Sequence, residues 1–113
     1  MKLPAEAVLL RIFIGEADKA EGRPLYEVIV EHARRRGLAG ATVLRGFLGY
    51  GANSRIHTSK VLRLSEDLPV VVEIVDEAKK IEAFLPELDR WITEGLVTLE
   101  NVRIFAYRHN RTS

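Results

Sequence analysis

Residues 37–57 read G-L-A-G-A-T-V-L-R-G-F-L-G-Y-G-A-N-S-R-I-H. Residues 41–48 are mostly apolar and predict a β-strand, and three glycines, Gly46, Gly49 and Gly51, fall within six residues at its end. Glycine accepts positive φ and lets another backbone or a ligand approach closely. A glycine cluster that opens a loop is therefore typical of a binding site. The same glycines would also serve a strand that bulges and turns, so both interpretations stay open at this point.

The bulk composition indicates one globular domain, residues 1–113. Apolar residues make up 47% of the chain and charged residues 29%, and the formal net charge is +1, which gives no electrostatic case for a nucleic-acid partner. The chain has no cysteine, which excludes disulfides, thiolate catalysis and cysteine-rich zinc sites. No apolar run approaches the ~20 residues of a membrane span, and residues 1–6 lack a signal-peptide pattern. We therefore expect a cytoplasmic protein without direct membrane insertion.

Apolar patterning predicts further strands on both sides of the opening stretch. Near-continuous apolar runs indicate two central strands, and a short alternating segment indicates the extension of a hairpin. A polar loop is expected at 15–23 and a turn at 65–69. The predicted strands are 8–14, 41–48, 60–64, 70–75 and 102–107, with a short additional strand at 96–99.

Two helices are predicted from apolar residues at helical spacing. The first covers residues 24–36, with Pro24 in its first turn. The second begins with Asp76 as its N-cap, and its apolar stripe keeps its phase on both sides of Pro86, which predicts one kinked helix rather than two. The order β-α-β-β-α-β predicts a ferredoxin-like α+β fold, an antiparallel sheet with two helices on one face. Because two strands are apolar on both sides, we expect other subunits to cover the second face.

One charged residue interrupts the most apolar predicted strand. Glu73 follows three valines, and a carboxylate in such a strand must reach solvent or a partner of opposite charge. We predict a structural ion pair between Glu73 and a partner such as an arginine, either within the chain or across subunits.

Several motifs resemble those of the PII signal proteins, and more closely those of a prokaryotic PII-like family catalogued only as a domain of unknown function. Gly40-Ala41-Thr42-Val43, Arg45-Gly46 and Gly49-Tyr50-Gly51 carry the resemblance around the glycine cluster. Further along, Glu94-Gly95-Leu96-Val97 belongs to the same pattern, which covers about residues 7–107. The resemblance implies a homotrimer that binds small anionic ligands, such as AMP or ADP, in clefts between subunits.

The resemblance also implies which residues contact the ligand. A glycine-rich backbone presents N–H donors to an anion, and an arginine adds a bidentate clamp for a phosphate. The second segment departs from the PII pattern because it has no lysine and adds the carboxylate of Glu94, so a ligand less charged than a triphosphate is expected. The implied ligand-binding residues are Arg45, Gly46, Phe47, Gly49, Tyr50, Gly51, Thr93, Glu94, Gly95 and Leu96.

A PII-like signal protein regulates its partner through a loop, which here is residues 50–59. We expect ligand binding to order this loop, a recognised switching mechanism, and the partner implied is a membrane transporter or channel. The partner-binding residues expected in the loop are Asn53, Arg55, Ile56 and His57.

Other classes of function stay open. One is a metal- or ion-handling trimer like the copper-tolerance proteins that share the fold, although zero cysteines and one methionine argue against a soft metal. Another is a structural trimer without nucleotide binding. An enzyme acting on a nucleotide would need His57 or Glu94 as its general base. No Ser-His-Asp, paired-carboxylate or P-loop pattern occurs in the sequence, so we predict a protein that is not an enzyme.

Overall fold

The computed structural model describes residues 5–50, 57–58 and 67–108, with the backbone alone at 57–58. A four-stranded antiparallel sheet and two helices form its centre, so the prediction of a ferredoxin-like α+β fold is confirmed. From one edge of the sheet to the other, the strands are β4 (Ala41–Arg45), β7 (Pro69–Asp76), β1 (Glu6–Gly15) and β8 (Leu96–Arg103).

Four shorter strands form two small hairpins beside the sheet. β2 (Lys19–Ala20) pairs with β3 (Arg23–Pro24), inside the segment predicted as a loop, and β5 (Leu48–Gly49) pairs with β6 (His57–Thr58). The prediction of one strand over 41–48 is therefore wrong beyond residue 45. The strand 60–64 lies outside the described residues.

Helix α1 (Leu25–Arg35) and helix α2 (Ala78–Trp91) both begin one or two residues later than predicted. Pro24 is the N-cap of α1 and not part of its first turn, because it still pairs with Lys19 in the hairpin. Asp76 ends β7 and is fully buried, and its carboxylate accepts N–H bonds from Glu77 at 2.6 Å and Ala39 at 2.8 Å. The N-cap of α2 is Glu77, and the helix continues through Pro86, so the prediction of a single helix is confirmed.

The last strand is longer and ends earlier than predicted. The two strands expected at 96–99 and 102–107 are one strand, β8, which stops at Arg103. The chain then crosses the end of the sheet: the Ile104 N–H donates to the Ala5 carbonyl at 2.6 Å, and the Tyr107 hydroxyl donates to the Ala39 carbonyl at 3.1 Å. Residues 104–108, called the crossing segment below, therefore reach from the β8 edge toward the start of β4.

The core lies between the helices and one face of the sheet. Alternate residues of β1 and β7 are buried there, and they pack against the apolar stripes of the two helices. Burial of each such aliphatic side chain contributes about 1.5–3 kcal/mol. The core includes Leu10, Ile12, Ile14, Leu25, Ile29, Val70, Val72, Ile74, Ile81, Phe84 and Leu88.

The other face of the sheet, called the open face below, carries cross-strand rows. Residues paired directly across antiparallel strands point to the same face, so Leu44, Val71, Phe13 and Leu96 form one apolar row across all four strands. The next row along the strands is polar and consists of Thr42, Glu73, Arg11 and Thr98.

Arg11 lies at the centre of the polar row. Its guanidinium contacts Glu73 at 2.8 Å and Glu100 at 3.5 Å, and the hydrogen bond to Glu73 raises the pKa of Arg11 above its usual range. The predicted ion pair of Glu73 with an arginine is therefore present within one chain. In the part of the chain that the structure describes, no helix is long and apolar enough to cross a membrane.

Candidate ligand site

The two segments expected to contact a ligand lie at the same end of the sheet but at its opposite edges. Arg45 ends β4 opposite Val70, Val70 lies opposite Ile14, and Gly95 directly precedes the β8 residue that pairs with Phe13. Because two strands separate β4 from β8, and neighbouring strands are about 4.8 Å apart, the edges are about 14 Å apart. A ligand that contacts both segments must therefore span the strand ends or lie between two copies of the chain.

Gly46 and Gly49 both lie against Pro69. A Cβ atom at Gly46 would lie 2.9 Å from Pro69 Cγ, and one at Gly49 would lie 3.0 Å from the same atom. The Gly46 N–H also donates to the Pro69 carbonyl at 2.7 Å. These two glycines thus meet the steric needs of a turning strand, and the Gly46 N–H is already bonded within the chain. Gly51 lies outside the described residues.

Large apolar side chains surround the glycines and face solvent. Phe47 is 68% exposed, Leu48 58% and Tyr50 69%. A cluster of this kind next to a loop is typical of a surface that contacts a ligand or another chain. All three side chains are therefore accessible to a ligand or to another chain.

Arg45, the candidate phosphate clamp, is already engaged by a carboxylate. Its guanidinium forms a hydrogen-bonded ion pair with Glu16, and the Arg45 side chain is 63% exposed while that of Glu16 is 26% exposed. The Glu16 N–H donates to the Leu68 carbonyl at 2.8 Å, which fixes the backbone of Glu16 beside the start of β7. Sequence reasoning missed this pair because 29 residues separate its members.

The turn that carries Glu16 is held by two further carboxylates. Asp18 accepts the Gly15 N–H at 2.9 Å, and Asp67 accepts the Ala17 N–H at 2.7 Å. Asp67 also lies so close to Gly15 that a Cβ there would be 2.3 Å from its Oδ2. The predicted turn residue Asp67 therefore supports the backbone next to Glu16, and three carboxylates, those of Glu16, Asp18 and Asp67, lie at this turn.

The second segment, residues 93–96, is exposed and turns sharply at Gly95. Gly95 has φ 152°, and a Cβ there would lie 2.7 Å from the Phe13 carbonyl oxygen. Only glycine fits both the backbone conformation and this close approach. The turn presents Thr93 and Glu94 to solvent, so a negative charge borders this half of the site as well.

Most of the expected partner-binding loop lies outside the described residues. Asn53, Arg55 and Ile56 lie outside the described residues. The backbone of His57 pairs with Gly49, so β5 and β6 form the base of the segment between them. Among the described residues, no group of three His, Cys, Asp or Glu side chains is arranged to hold a metal ion.

Residues 7–104 match the model of the DUF190 family, described as "Uncharacterized ACR". The chain is 48% identical over 96 residues to a UPF0166 protein of Aquifex aeolicus (strain VF5), which covers 85% of this chain and 90% of that protein. It is 36% identical over 101 residues to a UPF0166 protein of Methanocaldococcus jannaschii, covering 88% of this chain and 93% of that protein.

The fold is similar to that of CPII, a nitrogen regulatory PII-like protein from Thiomonas intermedia K12. A structure of CPII bound to ADP, AMP and bicarbonate matches with a TM-score of 0.60 at 19% identity, over 91% of each chain. A structure of CPII bound to ADP and bicarbonate matches with a TM-score of 0.57 at the same identity and coverage. At this level of identity the likeness concerns the fold.

Proposed function

Since the chain belongs to the DUF190 (UPF0166) family, and its fold is PII-like, we propose that it is a ligand-sensing signal protein of the PII-like kind. In this proposal a small anionic ligand such as AMP or ADP binds in a cleft between copies of the chain. The loop 50–59 then regulates a partner, for which a membrane transporter or channel is the candidate. The protein acts in the cytoplasm as a sensor and not as an enzyme.

The observation that carries the proposal is the position of Arg45 and Gly95 at one end of a PII-like sheet. A solved protein of similar fold is bound to ADP, AMP and bicarbonate, and this chain has an exposed arginine and a glycine turn where strands of that fold begin and end. Arginine is suited to phosphate because it forms two parallel hydrogen bonds. The ligand contacts that we propose are Arg45, Gly46, Phe47, Gly49, Tyr50, Gly51, Thr93, Glu94, Gly95 and Leu96.

Charge at the site favours a ligand with few negative charges. Glu16 and Glu94 both lie at this end of the molecule, and the Gly46 N–H is not available as an anion donor in this conformation. Opposing carboxylates weaken the binding of a triphosphate more than that of a monophosphate, since repulsion grows with the charge on the ligand. We therefore place AMP and ADP ahead of ATP.

The open face supports assembly into a homotrimer. Phe13, Leu44 and Leu96 on its apolar row are 37%, 48% and 56% exposed. A sheet face with such a row is unfavourable in water and is normally packed against another layer. In this chain the helices cover only the other face, so further copies of the chain are the proposed cover.

Calorimetric titration of the purified protein with AMP, ADP and ATP tests the proposal. We expect saturable binding of AMP or ADP, and we expect Arg45→Gln to weaken it about tenfold because a charge-assisted hydrogen bond is lost. The matched control is Arg36→Gln, which also breaks an arginine–glutamate pair but lies at the far end of α1. Amide exchange of residues 50–59 should slow on binding.

No binding of any of the three nucleotides at millimolar concentration would contradict the ligand part of the proposal. Equal weakening by Arg36→Gln and Arg45→Gln would contradict the location of the site. Binding that leaves amide exchange of residues 50–59 unchanged would contradict the role of the loop.

A further inference from the structure

We propose that Glu16 is a built-in competitor for the ligand: in the free protein it occupies Arg45, and an anion must displace it in order to bind. The inference rests on the proposed function, because it concerns the same arginine. It goes further by assigning a selectivity role to a residue that the expected ligand contacts do not include.

The first support is that the backbone at both members of the pair is bonded to two consecutive residues, Leu68 and Pro69, at the entry to β7. The Glu16 N–H donates to the Leu68 carbonyl at 2.8 Å, and the N–H of Gly46, next to Arg45, donates to the Pro69 carbonyl at 2.7 Å. The backbone at both residues is therefore already fixed when the two side chains form their ion pair. A pair that is preorganised in this way loses little conformational entropy when it forms.

The second support is the difference in exposure within the pair. Arg45 is 63% exposed, so a ligand can approach the guanidinium, whereas Glu16 is 26% exposed and is held against the protein. Ion pairs at the surface strengthen association by no more than about fivefold. A dianionic phosphate forms stronger bidentate hydrogen bonds with arginine than this and can therefore replace the carboxylate.

The third support is what becomes of Glu16 after displacement. Its backbone stays fixed by Leu68, and its turn stays fixed by Asp18 and Asp67. The released carboxylate therefore remains close to the bound anion and repels it. Because this repulsion grows with ligand charge, Glu16 selects against polyphosphates, and its removal should favour ATP more than ADP, and ADP more than AMP.

Titration of Glu16→Gln with ADP tests the inference. The substitution keeps the size of the side chain and the backbone bond to Leu68 but removes the charge, and we expect ADP to bind about three- to tenfold more tightly. The matched control is Glu87→Gln, which makes the same change in net charge and frees Arg36, whose bond to Glu87 is 2.6 Å. This control should change ADP affinity by less than about twofold, since Glu87 pairs with Arg36 at the C-terminal end of α1 and not with Arg45.

The double variant Glu16→Gln/Arg45→Gln separates competition from simple repulsion. If Glu16 acts by occupying Arg45, most of the gain from Glu16→Gln must disappear when Arg45 is absent, as in a double-mutant cycle. An undiminished gain in the Arg45→Gln background would overturn the inference.

Three other outcomes bear on this inference and on the proposed function. Wild-type protein that binds ADP, with unchanged affinity in Glu16→Gln, overturns the inference and leaves the proposed function standing. ADP binding in neither wild type nor Glu16→Gln at millimolar concentration overturns both. If Glu16→Gln binds all three nucleotides more tightly, and the gain in affinity is largest for ATP, smaller for ADP and smallest for AMP, the result supports both.

Discussion

Gly95 shows how one residue can be required for the shape of the candidate site. Two features require glycine at this position. Its φ is 152°, and a Cβ atom built there would lie 2.7 Å from the Phe13 carbonyl oxygen. A side chain here would push the start of β8 away from β1, and with it the exposed Thr93 and Glu94. The same logic applies to Gly46 against Pro69, where a backbone hydrogen bond adds to the steric limit.

Gly95→Ala should therefore destabilise the fold by about 1–3 kcal/mol, the range for a strained backbone conformation. The measurement is urea unfolding at fixed protein concentration. Gly40→Ala serves as the control, since a Cβ at Gly40 meets nothing within 4 Å, and its effect should stay within about 0.5 kcal/mol. Equal stability of the two variants would show that the turn at Gly95 relaxes without cost.

The residues that sequence reasoning missed are those whose partners are distant in the chain. Arg45 and Glu16 are 29 residues apart, and Asp67 is 50 residues from the Ala17 N–H that it accepts. No local pattern reports such pairs, because charge and turn propensity describe each residue alone. Glu73 was different, because a charged residue inside an apolar strand indicates by itself that a partner of opposite charge is needed. Arg11 is that partner.

At the scale of elements, the small hairpin of β2 and β3 is tied to α1 by charge. Arg23 on β3 forms a hydrogen-bonded ion pair with Glu31 on α1, with Arg35 3.3 Å from the same carboxylate group. The hydrogen bond from Arg23 lowers the pKa of Glu31 below its ordinary value of 4.5. Because the pair is well exposed, its contribution is small and screened by salt.

This pair predicts a specific pH dependence of stability. The pKa of Glu31 is lower in the folded than in the unfolded chain, so the pair stabilises the fold above the unfolded value of 4.5. This stabilisation is lost as the pH falls through the folded value. Arg23→Gln should thus be less stable than wild type at about pH 6, and the difference should shrink at about pH 3.

Urea unfolding at the two pH values measures that difference. Arg34→Gln, on the same helix, removes an equal charge outside this pair and serves as the control for net charge. A deficit of Arg23→Gln that is the same at both pH values would show that the loss comes from packing of the arginine stem and not from Glu31.

Helices and strands were predictable where the pattern of apolar residues is regular or unbroken. Both helices follow from apolar residues at helical spacing, and the strands β1 and β7 follow from near-continuous apolar runs, because these elements form the core. The interrupted segment after Arg45 was not predictable, since the break is caused by contact with Pro69 across the sheet. β8 was divided in two by the prediction because it is an edge strand, and both of its faces are largely exposed.

At the scale of the whole molecule, the unpaired open face is the main reason to expect an assembly. Stable interfaces bury about 800 Å² on each partner, and the four-stranded face with its apolar row, which the helices leave uncovered, is the surface that we expect to supply this area. The polar row around Arg11 would become buried beside that contact. Ion pairs buried beside an interface contribute more to the alignment of the chains than to the free energy of association.

Phe13→Lys should break the assembly, because it places a charge in the centre of the apolar row. Light scattering should give about three times the chain mass of 12.8 kDa for wild type and a value near 12.8 kDa for the variant, with circular dichroism unchanged. The control is Phe105→Lys, since Phe105 is 99% exposed in the crossing segment and lies outside the row. A wild-type mass of one chain would contradict the trimer directly.

The crossing segment also determines how the protein can be handled in an assay. Because Ile104 bonds to Ala5 and Tyr107 bonds to Ala39, residues near both chain termini lie at the end of the sheet opposite Arg45. An immobilisation tag or a fluorophore attached at either terminus would therefore leave the end of the sheet that carries the proposed ligand site facing free solution. Surface-capture methods can thus report ligand arrival without obstruction, whichever terminus carries the label.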